Sequence, residues 1–257
     1  MSTLRTFGAL IIGDEIMRGK RQDGHFAKLR EILAARGLHL SWVHYLGDER
    51  PRLIEFLRDT MAGNDVVFSF GGIGVTPDDH TRQAAAAAAG VPLKLHPDAE
   101  REIRARMAQV NMEVTPNRLQ LGEFPEGGRI IPNPYNRIPG FSYRDHHFLP
   151  GFPQMSWPMA EWVLDTLYPE CVNRTPDVEK AMIVWGGHEG LMLELMRRIE
   201  ADYPGLTVFS LPTLGNDTVK PHVEVGVRGQ SAAVEAAFAE MRPQIEALGY
   251  ETTLKSA

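Results

Sequence analysis

The opening third of this chain alternates apolar runs with amphipathic stretches, and each run stops at glycine followed within a few residues by acid. The runs are TFGALII at 6–12, LHLSWVHYL at 38–46 and DVVFSF at 65–70. Between them, DGHFAKLREILAARG places Phe26, Leu29, Ile32 and Leu33 on one helical face and ends at Gly37. ERPRLIEFLRDTMAG repeats the pattern with Leu53, Phe56 and Leu57 ahead of Gly63. Such alternation predicts an α/β fold, a mostly parallel sheet with helices on both faces. Right-handed crossovers bring the C-terminal ends of parallel strands to one edge, outside which open α/β sheets bind ligands. Sequence order therefore collects Gly13-Asp14-Glu15, Gly47-Asp48-Glu49 and the element FGGIGVTPDDHT (70–81) around one crevice.

That element poses a conflict. Gly71, Gly72 and Gly74 suit close approach of backbone N–H groups to a phosphate, yet Asp78 and Asp79 would repel it. A helix start accounts for part of the pattern, with Thr76 as N-cap, Pro77 at the first helical position and the acids complementing the dipole. Three glycines exceed what a cap requires. The element is neither a P-loop, since no Gly-Lys-Ser/Thr follows, nor a dinucleotide fingerprint. A hard cation such as Mg2+ shared between carboxylates and phosphate would resolve the conflict. So would carboxylates that accept hydrogen bonds from a pterin, purine or ribose while the turn holds the phosphate. Leu149-Pro150-Gly151-Phe152-Pro153 reads either as the opposite wall of the crevice or as a rigid turn.

Further on, an alanine-rich helix is predicted around 77–89, another from Pro97 to about Met112, and a third from about Pro153 to Tyr168. The intervening IIPNPYNRIPGF and HHFLPGFPQM are loop-rich, with short apolar runs at 129–131 and 147–149. Periodicity lapses at 169–176. Beyond it the pattern is strand, helix, strand, strand, helix, strand, which predicts a small ferredoxin-like α+β domain at 173–257 after an α/β domain at 1–172.

A formal net charge of -6 gives no footprint for nucleic acid. The N-terminal apolar stretch is too short for a signal or a membrane span, so a cytoplasmic protein without membrane partners is expected. Cys171 is the single cysteine, which excludes an internal disulfide and a cysteine-based zinc cluster. His188-Glu189 lacks the second histidine of a zinc helix, Met192 standing there, and His146-His147 implies no third ligand. The sequon Asn216-Asp217-Thr218 matters only in a secreted protein. The stripe Leu191, Met192, Leu195, Met196 and Ile199 reads as core.

Five segments carry a resemblance: GDEIMRG (13–19), LGDE (46–49), FGGIGVTPDDHT (70–81), NPYNRIPGF (133–141) and LPGFPQM (149–155). With them the chain resembles the MoaB/Mog type of molybdopterin-binding domain, and within it the N-terminal part of the competence/damage-inducible A family. The amidase domain that often closes such proteins does not follow, so nicotinamide-nucleotide deamidation is not implied.

The resemblance implies that Asp48 and Asp79 are the acids associated with molybdenum insertion. It also implies that Gly71, Gly72, Gly74 and Thr76 hold the phosphate end of molybdopterin, with Gly13, Asp14, Glu15, Asp78, Pro150 and Gly151 completing the site. Val75, Asn136-Arg137-Ile138, Gln154 and His25 replace, respectively, a customary proline, a Gly-Thr-Ala run, an acid and an asparagine. The resulting expectation is a cytosolic, homo-oligomeric molybdopterin- or molybdenum-cofactor-binding protein. The alternatives are a pyrophosphatase that cleaves ADP-ribose or FAD with a divalent metal on Asp48 and Asp79, and a non-catalytic scaffold.

Overall fold

The computed structural model describes residues 5–172, 177–216 and 218–255. It separates into two compact units that part after Val172. Residues 173–176, next to the expected domain boundary, and Asp217 of the sequon lie outside the described residues.

In the first unit β1 (Phe7–Ile12), α1 (Asp14–Met17), α2 (His25–Ala34), β2 (Leu40–Leu46), α3 (Arg50–Met61) and β3 (Val66–Phe70) follow the predicted alternation. After them come α4 (Thr81–Ala89), β4 (Leu93–Leu95), α5 (Pro97–Gln109), α6 (Pro116–Leu119), β5 (Glu123–Pro125) and β6 (Arg129–Ile131). The unit closes with β7 (Gly140–Tyr143), β8 (His146–Leu149) and α7 (Pro153–Leu167).

The main sheet has the order β2-β1-β3-β8-β7-β6. Strands β2, β1, β3 and β8 are parallel, while β7 runs against both neighbours. Alternation along β1 divides the core: Phe7, Ala9 and Ile11 pack with α2 and α7 residues, and Leu10 and Ile12 with α3 and α4 residues. Gly8 leaves room for an indole, since a Cβ there would lie 2.1 Å from the Trp42 ring. The apolar faces of α2 and α7 on one side and of α3 and α4 on the other therefore hold the sheet between them.

The second unit contains β9 (Val178–Trp185), α8 (Glu189–Asp202), β10 (Thr207–Thr213), β11 (His222–Gly229), α9 (Ser231–Ala247) and β12 (Thr252–Leu254). Its antiparallel sheet, ordered β10-β11-β9-β12, is the ferredoxin-like arrangement of a βαββαβ unit. Met182, Val184, Val223, Val225 and Val227 bury one face against Met192, Ile199, Val234, Phe238 and Met241. Leu191, expected in that core, is 65% exposed.

Candidate functional site

The β1, β2, β3 and β8 termini, Ile12, Leu46, Phe70 and Leu149, share one edge. Since β1 is followed by β2 on one side and β3 on the other, the chain's switch point falls between the ends of β1 and β3. The ladder continues past the strands: Gly13 N–H donates to Leu46 O (3.1 Å) and Gly71 N–H to Leu149 O (3.0 Å). A cleft of about 690 Å³ opens here. It lies at the position the strand order predicts for a ligand.

Glycine is demanded at the centre. Gly71 has φ 104°, and a Cβ on it would lie 2.3 Å from Ile12 O; Gly72 has φ 67°, and its Cβ would lie 2.2 Å from Thr81 Oγ1. The following turn is built by two residues of α4. Thr81 Oγ1 donates to Gly71 O (3.1 Å) and Thr81 N–H to Gly72 O (3.0 Å). Arg82 donates from Nε to Ile73 O (3.0 Å) and from Nη2 to Gly74 O (2.7 Å), and its Nη1 reaches Gln120 O and Glu123 O. Four successive carbonyls are thus engaged from beneath, while the N–H groups of Gly72, Ile73, Gly74 and Val75 donate to no acceptor among the described residues. Arg82 is 2% exposed, and burial holds its pKa below the usual arginine value.

The helix expected from residue 77 starts at Thr81, with His80 as N-cap. Thr76 is not a helix cap. Instead the Asp79 carboxylate turns back to accept from Thr76 N–H (2.9 Å) and Thr76 Oγ1 (2.5 Å), and Asp78 and Asp79 stand in the turn ahead of the helix. Short-range hydrogen bonding by Asp has outcompeted helix initiation.

Of the expected site residues, Gly13, Glu15, Asp48, Gly71, Gly72 and Gly74 line the cleft, and so do Thr76, Asp78, Asp79, Pro150 and Gly151. Asp14 does not. Its carboxylate accepts from Asp48 N–H (3.3 Å) and pairs with Arg18 (2.6 Å), while its N–H donates to Asp48 Oδ2 (2.9 Å). Burial pushes the Asp48 carboxyl upward in pKa, opposed by the Asp14 N–H and aided by the Asp14, Glu15 and Asp78 carboxylates.

Several cleft residues lie outside the expected set of site residues. His25, buried at the start of α2, stacks on Phe70 at 4.6 Å. Trp157 Nε1–H donates to its Nδ1 (3.2 Å), which makes Nε2 the protonated nitrogen that donates to Gly151 O (3.2 Å). Burial lowers its pKa, so the ring is neutral at pH 7. Phe152, 54% exposed at the cleft, is set by its carbonyl, which accepts from Met155 N–H, Ser156 N–H and Ser156 Oγ. Asn133 knots the 133–138 loop through Ile138 O and the N–H groups of Tyr135 and Arg137. Arg21 is the remaining charged residue of the lining.

Neither the adjacent histidines nor the cysteine adds a site. His147 bonds Ser142 and Tyr168, His146 bonds Thr60, and burial raises the Cys171 pKa. Among the described residues no group of three or more His, Cys, Asp or Glu is placed to hold a metal ion, and no helix is long and apolar enough to cross a membrane. Asp48 and Asp79 both face the cleft but belong to no such group.

Residues 8–169 match the model of a probable molybdopterin binding domain. A CinA-like protein of Anaeromyxobacter sp. is 29% identical over 260 residues, covering 93% of this chain and 62% of that protein. Another from Syntrophotalea carbinolica is 32% identical over 182 residues, covering 69% of this chain and 44% of that one. The chain thus spans less than two thirds of either CinA-like relative. The crystal structure of CinA from Thermoplasma acidophilum, a protein described there as of unknown function, matches with a TM-score of 0.56 and 24% identity over 66% of this chain and 100% of its own.

Proposed function

This chain belongs to the molybdopterin-binding domain family, and we propose that it binds a phosphate-bearing pterin or nucleotide in the cleft at the C-terminal edge of its first sheet. One observation carries the reading: the carbonyls of residues 71–74 are all engaged by Thr81 and Arg82, while the N–H groups of 72–75 are left to a ligand. Successive N–H groups in a glycine turn form an anion-binding concavity. A Cβ at Gly72 would lie 2.2 Å from Thr81 Oγ1 and so would displace the residue that holds the turn in this shape.

Acids and anion then have separate tasks. The phosphate sits on the turn, and Asp48 and Glu15 accept hydrogen bonds from ring N–H or hydroxyl groups. Asp79 shapes the turn through Thr76. Ile16, Phe152 and Met155 supply an apolar wall for a flat ring. This suits molybdopterin, a phosphorylated pterin. The donor set fits a divalent metal less well, because one Asp79 oxygen is committed to Thr76 and, among the described residues, no group of three metal-ligating side chains forms.

Calorimetric titration with neopterin phosphate, neopterin, AMP and adenosine tests the reading. Each phosphorylated compound should bind more tightly than its parent, and Gly72→Ala should erase that preference. Equal affinity for phosphate and parent would refute it. Metal-dependent release of AMP from ADP-ribose or FAD, lost in Asp79→Asn, would transfer the assignment to a pyrophosphatase.

A further inference from the structure

Four carboxylates, those of Glu15, Asp48, Asp78 and Asp79, line the cleft in which a phosphate is to bind. The positive charge that answers them is not Arg82, which does not line the cleft and spends its donors on carbonyls beneath the turn. Nor is it His25, kept neutral by burial and held between Trp157 and Gly151. Arg18 is engaged with Asp14 and also lies outside the lining.

Arg21 remains. Its side chain is exposed, lines the cleft, and has no hydrogen-bond acceptor, carboxylate or aromatic ring as a partner among the described residues. Yet its backbone is anchored: Gly19 N–H donates to Ile16 O (3.0 Å), and the N–H groups of Lys20 (2.8 Å) and Arg21 (3.1 Å) both donate to Glu15 O. An arginine fixed at its root and free at its tip, beside acids that it does not neutralise, is placed to meet a ligand's charge.

Neutral N–H groups alone would have to overcome repulsion between a phosphate dianion and the carboxylates. A guanidinium removes that opposition and offers two parallel N–H donors to phosphate oxygens. We infer that Arg21 is the specificity-determining residue that admits a phosphate monoester to this acid-lined cleft, so that phosphorylated ring compounds bind in preference to their unphosphorylated parents. The inference rests on the phosphate reading of the glycine turn.

The test is the affinity of the full chain for AMP and adenosine at low and high salt, in wild type, Arg21→Gln and Arg21→Lys. At low salt Arg21→Gln should weaken AMP binding about tenfold and leave adenosine binding unchanged. Arg21→Lys should retain part of the AMP affinity, because charge survives while the fork is lost. The salt dependence of AMP binding should be shallower in Arg21→Gln than in wild type. Melting temperatures should coincide, since the side chain is exposed. If Arg21→Gln binds AMP as wild type does, the assignment of Arg21 is overturned and the turn's role stands. If wild type shows no preference for AMP over adenosine, the phosphate reading fails and this inference fails with it.

Discussion

Gly71 and Gly74 look alike in sequence and differ in what they do. At Gly71 a Cβ meets the Ile12 carbonyl, which belongs to the central strand and has nowhere to move, and φ is in the region that favours glycine. Gly71→Ala is therefore expected to lower unfolding stability by about 2 kcal/mol or more, measured by urea denaturation. At Gly74 the Cβ would lie 2.3 Å from Asp79 Oδ2, the tip of a side chain on a turn. Gly74→Ala should keep a near-wild-type melting temperature while displacing Asp79 from Thr76, and so should lose phosphate binding first. The glycine-plus-acid pattern made this site legible, because glycine spacing reports backbone demands directly. Arg82 was not legible: one arginine ahead of an alanine run has the spacing of an exposed residue, and its burial depends on carbonyls that only the folded turn brings together. Asp79 misled for a related reason, since an acid that caps its own turn and an acid in a helix's first turn have the same local sequence.

Strand β8 carries two histidines, His146 and His147, that are both buried. Ser142, His147, Tyr168, Asp145 and Arg5 form a continuous chain of hydrogen bonds, closed by the Arg5–Asp145 pair at 2.7 Å. Tyr168 donates to Asp145 (2.8 Å) and so accepts from His147 Nε2–H (2.7 Å). Tyr168→Phe leaves both neighbours short of a partner and should cost about 1–3 kcal/mol by the same denaturation assay. Burial lowers the His146 pKa to about 4 and the His147 pKa to about 3. With an unfolded value near 6.5, the unfolded chain binds more protons in the window below that pH, so folding stability is complete above it and falls as pH drops toward the folded values. Stability should decline between pH 6.5 and pH 5 by on the order of 2 kcal/mol per histidine. A flat profile there would contradict the buried, neutral assignment. Strands β1 to β3 were legible as apolar runs with glycine stops, whereas β4, β5 and β7 span three or four residues, too few for a period to register.

On the scale of the whole molecule, the cores of the two units draw on separate stretches of chain. Residues 1–172 alone are therefore expected to fold cooperatively and to retain the cleft, read out by near-ultraviolet circular dichroism and a single sharp unfolding transition. Loss of structure in that fragment would mean that the second unit contributes to the first one's stability. The βαββαβ order of the second unit was legible because every strand and helix there is bounded by its own change of period. Its role was not, because its apolar stripes report only a core.

A phosphate received by the glycine turn through backbone N–H groups would be sensed by the backbone amide resonances of that turn. In a 15N-labelled full-length sample titrated with AMP, the amides of Gly72, Ile73, Gly74 and Val75 are predicted to shift together and to saturate with one affinity, and adenosine is predicted to leave them in place. If AMP binds while those four amides stay unmoved, the phosphate is held elsewhere and the account is wrong.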